Sequence, residues 1–367
     1  MAMDVIENKN TRLELLGIGS AKNRALKANL EEALRQLDLD IPIEEVRDIH
    51  SLMRYDISGI PALALNGKVI FQRIVPEVED IKIVLRVLLQ SARNEPAIDN
   101  LIIPIDFSAT AENAFYFGLE LASHLGANLN ILHVDQENPD FGTTSWLDAQ
   151  GGELAYKQRL MNALRERGQE LATKSLKIST EIVGGEVVRE ICKRSKKEGV
   201  LVVMGTTGEG GLFGRWMGSN SLQVARCAES PVLLVPNGVR FKGFGRILYA
   251  SSHHPSEEVI WPQLLDFARP FGANVCFAHI KENTLYPYQV LPDTSGRVFH
   301  KNGLTLQLST IESQDVVEGL SRFAEESTAD LLVMATTHRS FLEELFHKSA
   351  TKKMIYNTRI PLMILHY

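Results

Sequence analysis

The sequence is short of cysteine, has no long apolar run and is not dominated by charge of one sign, and each shortage removes a class of protein. Cys192, Cys227 and Cys276 are its three cysteines. They lie far apart, with no Cys-x-x-Cys and no neighbouring pair of histidines at ligand spacing. Neither a disulfide framework nor a zinc site is expected, and the three read as small apolar core residues or free thiols. The longest apolar stretches, such as Val200–Met204 and Val232–Val235, fall well short of the roughly 20 residues that a membrane-spanning helix needs. Lys and Arg number 39 against 45 Asp and Glu, a net of −6, which favours solubility and gives no reason to expect nucleic acid as a partner. The first residues lack the basic start and apolar core of a secretory signal, so the cytoplasm is the expected location.

What remains is ordinary globular sequence, 367 residues that are 44% hydrophobic, enough for two or three domains. Its most informative feature is a repeat. Val200–Pro236 and Asp330–Tyr367 each hold an apolar strand ending in Val-Met, a Thr-Thr turn, a helical stretch, and a proline before a last apolar strand. Upstream, Asn100–Asp106 matches Arg246–Ser251 as a first strand, and Asn128–Val134 matches Asn274–Ile280 as a second. Helical spacing follows each first strand, over Ala109–Leu125 and Pro255–Phe271. Strands alternating with helices predict a parallel sheet, so residues 97–238 and 243–367 each read as a five-strand, doubly wound α/β domain.

Residues 1–92 fit neither repeat. Their order is strand (Arg12–Gly17), helix (Ala21–Leu37), strand (Ile43–Val46), helix (Ile49–Tyr55), strand (Ala62–Leu65), an Asn66-Gly67 turn, strand (Lys68–Arg73) and helix (Val78–Leu89). That is a thioredoxin-like order, with Gly59-Ile60-Pro61-Ala62 at the place of a cis proline. The redox motif of such folds would follow Leu15-Leu16-Gly17-Ile18-Gly19, where Ser20-Ala21-Lys22-Asn23 stands instead. Disulfide exchange needs a thiolate and a resolving thiol, so this domain is not a dithiol oxidoreductase and is expected to serve docking or dimerisation.

The loops of the first repeat carry the chemistry. Gly205-x2-Gly208-x9-Gly218-Ser219 runs from the end of a predicted strand to the start of a predicted helix, Asn220–Cys227. Glycines let backbone approach an anion, and the amides of a helix start with the hydroxyls of Ser219 and Ser221 are donors aimed at negative charge. Asp106 ends the first strand, where a carboxylate can accept ribose hydroxyls or simply cap the next helix. Val134 ends the second, where it can lie against a base or belong to the sheet core.

With the Pro104-Ile105-Asp106 strand end, the glycine spacing, the closing Gly-Ser-x-Ser and the Pro231–Val235 strand, residues 97–238 resemble a universal stress protein domain of the ATP-binding subtype. The resemblance implies that Asp106 holds ribose and Val134 adenine, with Pro104 and Ile105 at the same strand end. Met204 and Gly205 would line the base and ribose side. Gly208, Gly218, Ser219, Asn220 and Ser221 would cradle the phosphates, with a magnesium ion among them, and Arg215 is either a phosphate contact or a solvated surface residue. The second repeat resembles the same family but is degenerate: Ala335 replaces Gly205, His338 replaces Gly208, Lys348 replaces Gly218 and Ser251 replaces Asp106, so no nucleotide is expected there. Lys348-Ser349 could at most hold some other anion, and the adjacent His253-His254 reads as a solvated pair before a metal site.

The function expected is that of an ATP-binding stress or regulatory protein without catalysis, with ADP or AMP as other possible nucleotides and an unidentified protein as partner. The alternatives are a slow ATPase or nucleotidyl-transfer enzyme, and an interaction scaffold with a vestigial site. Domains of this kind associate through their last strands, so Pro231–Val235 is expected to run antiparallel to Pro361–Leu365 in an internal pseudo-dimer, with a homodimer as a further arrangement.

Overall fold

A computed structural model describes residues 11–89, 98–136, 151–172, 176–206, 219–285, 288–291, 297–301, 303–336 and 360–366. The chain forms two compact units, residues 1–93 with 290–310, and residues 94–289 with 311–367.

In the first unit the amino-terminal segment runs β1 (Leu13–Leu16), α1 (Ala21–Leu37), β2 (Ile43–Val46), α2 (Ile49–Leu52), β3 (Ala62–Leu65), β4 (Lys68–Gln72) and α3 (Val78–Leu89). The sheet order is β2-β1-β3-β4. β1 pairs parallel with β2 and antiparallel with β3, and β3 pairs antiparallel with β4. Asn66 and Gly67 take φ values of 50° and 80°, as a tight hairpin turn twisted with its strands requires. The Ile60–Pro61 peptide is cis, as expected. Leu16, Val46, Leu52, Ala62 and Ala64 form a small apolar core under α2, while α1 and α3 pack against each other.

The second unit holds the first repeat and, apart from residues 290–310, the second. The first supplies β5 (Asn100–Pro104), α4 (Ala109–Leu125), β6 (Asn128–Asp135), α5 (Gly151–Leu171), β7 (Ile178–Gly184), α6 (Val187–Arg194), β8 (Val200–Thr206), α7 (Ser219–Cys227) and β9 (Val232–Pro236). The second supplies β10 (Arg246–Ser251), α8 (Trp261–Ala268), β11 (Asn274–Glu282), β12 (Tyr288–Val290), β13 (Arg297–Lys301), β14 (Leu304–Ser313), α9 (Val316–Glu326), β15 (Leu331–Thr336) and β16 (Leu362–His366). Strands run in the order β11-β10-β15-β16-β9-β8-β5-β6-β7. All neighbours are parallel except β16 and β9, which are antiparallel with Leu362 opposite Leu234, Met363 opposite Leu233 and Ile364 opposite Val232. The expected junction is therefore the one formed, and it makes one continuous sheet of the two repeats. Its strands are nearly all apolar because helices cover both faces. Leu233, Val235 and Ile364 are fully buried. The linker adds an aromatic seam, with Phe241 and Phe244 against Phe117 of α4 on one side and Phe271 on the other.

Two expectations need correction here. The helix read over Pro255–Phe271 is broken into a 3-10 turn (Pro255–Val259), α8 and a second 3-10 turn (Arg269–Phe271). Pro262 and Pro270 each withhold an amide and crowd the preceding turn, so each can start a helical segment but not continue one. The second repeat also carries more than five strands: β14 precedes α9 as β7 precedes α6, and β12 and β13, the latter paired antiparallel with β14, are additional. No described helix is long and apolar enough to cross a membrane.

Candidate functional site

In the first repeat β5 lies between β6 and β8, all parallel, so their carboxyl ends form one rim, the edge at which open α/β sheets leave a crevice. At that rim the Ile105 amide donates to Leu132 O at 2.8 Å, and its carbonyl lies 2.7 Å from His133 Nδ1. The chain then turns. Phe107 takes a φ of 63°, its ring 4.7 Å from that of His133, and Ser108 caps α4 by accepting from the Ala111 amide. Asp106, between them, is exposed. One carboxylate oxygen accepts from the Ser108 amide at 3.0 Å, and the other takes no hydrogen bond among the described residues. Asp106 thus shapes the turn with one oxygen, and the cap of α4 is Ser108.

Val134 is buried beside it on β6, followed by Asp135, buried and 3.2 Å from Lys157 Nζ. Lys157 also reaches Glu153 at 2.7 Å. Burial works against the charge, but the hydrogen bonds to Glu153 and Asp135 prevail and hold the ammonium above its ordinary range. This fixed ion pair under the rim is missed by sequence reasoning, since Lys157 lies in a helix whose polar face is uniformly charged.

Across β5, Met204 is buried and Gly205 faces the start of α4 so closely that a Cβ there would collide with the Thr110 carbonyl oxygen and lie 2.7 Å from Thr110 Cγ2. Backbone cannot retreat as a flexible side chain can. Gly205→Ala should therefore lower the stability of the second unit by about 1–3 kcal/mol, read as a fall in the urea midpoint; an unchanged midpoint would show that α4 gives way freely. The hydroxyl of Ser221, near the start of α7, donates to Gly205 O at 3.1 Å. This contact fastens α7 on β8, while Asn220 is exposed at the helix start. Gly208, Arg215 and Gly218 lie outside the described residues, as do His338, Lys348, Ser349 and the side chain of Ser219.

The second repeat has the same rim with different occupants. Arg246 aligns with Asn274 just as Asn100 aligns with Asn128, His253 takes the positive φ of Phe107, and His254 caps the next turn as Ser108 does. In this register Ser252, and not Ser251, stands where the first repeat has Asp106. Glu257, 2% exposed, is folded onto this turn. Its oxygens accept from Ser251 Oγ at 2.9 Å, from the Ser252 amide at 2.8 Å and from Ser252 Oγ. The rings of His253 and His279 stack at 3.7 Å, and His279 Nδ1 lies 3.1 Å from Ser251 O, repeating the contact of His133. The serine hydroxyls at this rim are committed, and a buried carboxylate opposes a polyanion. His133 and His279 were missed, although each stands at the same place in its repeat, before Val134 and Ile280; Glu257 was missed because it sits in a run that reads as solvated helix surface. Among the described residues no three His, Cys, Asp or Glu side chains gather as a metal site would.

In the amino-terminal domain, Ser20 Oγ donates to Asn23 Oδ1 at 2.9 Å, and Asn23 Nδ2 donates to Leu16 O at 3.2 Å. Where a dithiol would stand, a hydroxyl and an amide close on each other. The cysteines of the second unit behave otherwise than expected: Cys192 and Cys227 are joined as a disulfide with Cα atoms 6.0 Å apart, and Cys276 is buried in β11. The fold brings α6 and α7 side by side, a neighbourhood that a separation of 35 residues does not announce.

Comparison with known proteins follows this division. A model of the universal stress protein family matches residues 97–236 and 243–366, and a model of the thioredoxin domain matches residues 11–86. A universal stress protein of Methanocaldococcus jannaschii is 31% identical over 144 residues, covering 37% of this chain and 80% of that protein. A thioredoxin of Methanothermobacter thermautotrophicus is 26% identical over 74 residues, covering 20% of this chain and 96% of that protein. The crystal structure of a universal stress protein from Archaeoglobus fulgidus shares the fold, with a TM-score of 0.53 at 17% identity, over 73% of this chain and 98% of that one.

Proposed function

Because the chain belongs to the universal stress protein family, through two tandem domains that follow a thioredoxin-like domain, we propose that its first repeat binds one adenine nucleotide, ATP in the first place, and acts as a nucleotide-dependent regulatory module. The second repeat and the amino-terminal domain then supply structure and partner surface. The observation that carries this reading is the convergence at one rim of Asp106, Val134, Met204, Gly205 and the start of α7.

The donor set suits such a ligand. Asp106 is exposed at the rim, where its second carboxylate oxygen would accept from ribose hydroxyls, Val134 and Met204 would offer apolar surface to a base, and the first-turn amides of α7, unpaired within their helix, suit negative charge. A magnesium ion would be held by the phosphates, neutralising charge that the protein leaves unmatched. The second repeat lacks the exposed carboxylate and instead holds Glu257 buried at its rim, which supports a structural role.

Calorimetric titration of the full chain with Mg-ATP tests this. About one equivalent is expected, and Asp106→Ala should weaken binding about 10- to 100-fold, as loss of hydrogen bonds to a charged acceptor does. Binding of two equivalents, or affinity indifferent to Asp106, would refute the assignment of the site.

A further inference from the structure

Cys192 lies on α6 and is nearly buried, whereas Cys227 is the last residue of α7 and is exposed. Their disulfide is redundant with other ties between the same two segments. Ser195 Oγ donates to Cys192 O at 2.8 Å and accepts from the Glu229 amide at 3.1 Å. Ser230 Oγ donates to Ser195 O, and Lys196 pairs with Glu229 at 2.9 Å. On the core side Val224, Ala225 and Ala228 are fully buried. Opening the disulfide therefore removes one covalent tie but leaves the segments held together, so the two sulfurs stay close enough to pair again. The unequal burial also gives the bond a direction, because Cys227 is open to solvent and Cys192 is buried, so an incoming thiolate meets Cys227 first.

We propose that Cys192 and Cys227 form a reversible thiol–disulfide exchange site that takes a dithiol reductant at Cys227 and sets the mobility of the carboxyl end of α7. In the forward step a thiolate of the reductant attacks Cys227 Sγ, the bond between Cys227 and Cys192 breaks, and Cys192 leaves as a thiolate that takes up a proton. The reductant's second thiol then attacks its own sulfur in the mixed disulfide. Cys227 is released as a thiol and the reductant departs as a cyclic disulfide, two electrons having passed to the protein. A partner already in the disulfide form runs the sequence backwards. In the oxidised chain α7 is fixed at both ends, by Ser221 on Gly205 and by Cys227 on Cys192. In the reduced chain its last turn keeps only non-covalent ties, including the 2.7 Å contact of His366 Nε2 with Ala225 O. The proposal does not depend on what, if anything, the start of α7 binds.

The test uses the folded full chain, oxidised with glutathione disulfide or reduced with dithiothreitol and then desalted. Iodoacetamide labelling with peptide mass spectrometry reads the two cysteines, and hydrogen exchange reads the α7 amides. Expected are no label on Cys192 and Cys227 after oxidation, two labelled thiols after reduction without loss of cooperative unfolding, and several-fold faster exchange in 222–228 that oxidation reverses. Labelling of both residues despite oxidation, reduction only after denaturation, or α7 exchange identical in the two states would each overturn it. A chain that binds no Mg-ATP in either state counts against the nucleotide reading alone, since thiol labelling and amide exchange are read without nucleotide.

Discussion

Ile364→Asp is expected to unfold both repeats in one transition. Ile364 is fully buried in β16, with β15 parallel on one side and β9 antiparallel on the other, directly opposite Val232. A carboxylate there loses apolar packing and its hydration together. The chain must then protonate the group, admit water or release the strand. The cost is about 4 kcal/mol or more, the range reserved for buried unpaired charge and broken cores. Because β16 is a central strand, releasing it bares β9 as well as β15, and the damage crosses from the second repeat into the first. Urea unfolding followed by hydrogen exchange in β9 and β15 measures this. Protection lost in β15 while β9 keeps its own would mean that the repeats merely touch and that the continuous sheet adds little to either.

Gly218→Asp should remove Mg-ATP binding, weakening it more than 100-fold, while leaving the melting temperature level or slightly raised. Gly218 immediately precedes Ser219, the first residue of α7, so a carboxylate at this point has two opposite effects. Toward the helix it is favourable, since aspartate just before a helix accepts from its first amides and meets the positive end of the dipole. Toward a triphosphate it is unfavourable twice over, by placing like charge beside the phosphates and by occupying the amides they need. Binding that survives the substitution would move the anion away from this helix; a large fall in melting temperature would show that Gly218 serves the fold. Gly218→Ala, which adds a Cβ without charge, separates the two contributions.

The chain showed most of its architecture in its periodicity. Apolar runs such as Val200–Met204 fix buried parallel strands, and the matched Thr-Thr turns and closing prolines fix the repeat. The sequence also showed the rim residues Asp106, Val134 and Gly205, because strand ends are read directly from where an apolar run stops. What it hid depends on neighbours in space. The Ser252 register is set by strand pairing, and in strands apolar on both faces a one-residue difference leaves the apolar pattern almost unchanged. Glu257 looks like solvated surface until the 3-10 turn folds it onto Ser251 and Ser252. The contact of the Ser221 hydroxyl with Gly205, and the meeting of Cys192 with Cys227, both come from the packing of helices on the sheet. Local spacing carries no record of that packing.

The antiparallel meeting of β9 and β16 also decides what each half can offer to the outside. Strands β5 to β9 all run one way and β10, β11, β15 and β16 the other, so the two rims open at opposite margins of the sheet. A partner engaged at Asp106 and one engaged at Glu257 would approach from opposite directions without obstructing each other. The strand edge through which a single domain would recruit its mate is already occupied from within the same chain. The pairing therefore has the same strength at any protein concentration, and dilution, which dissociates a dimer of separate domains, leaves this one whole.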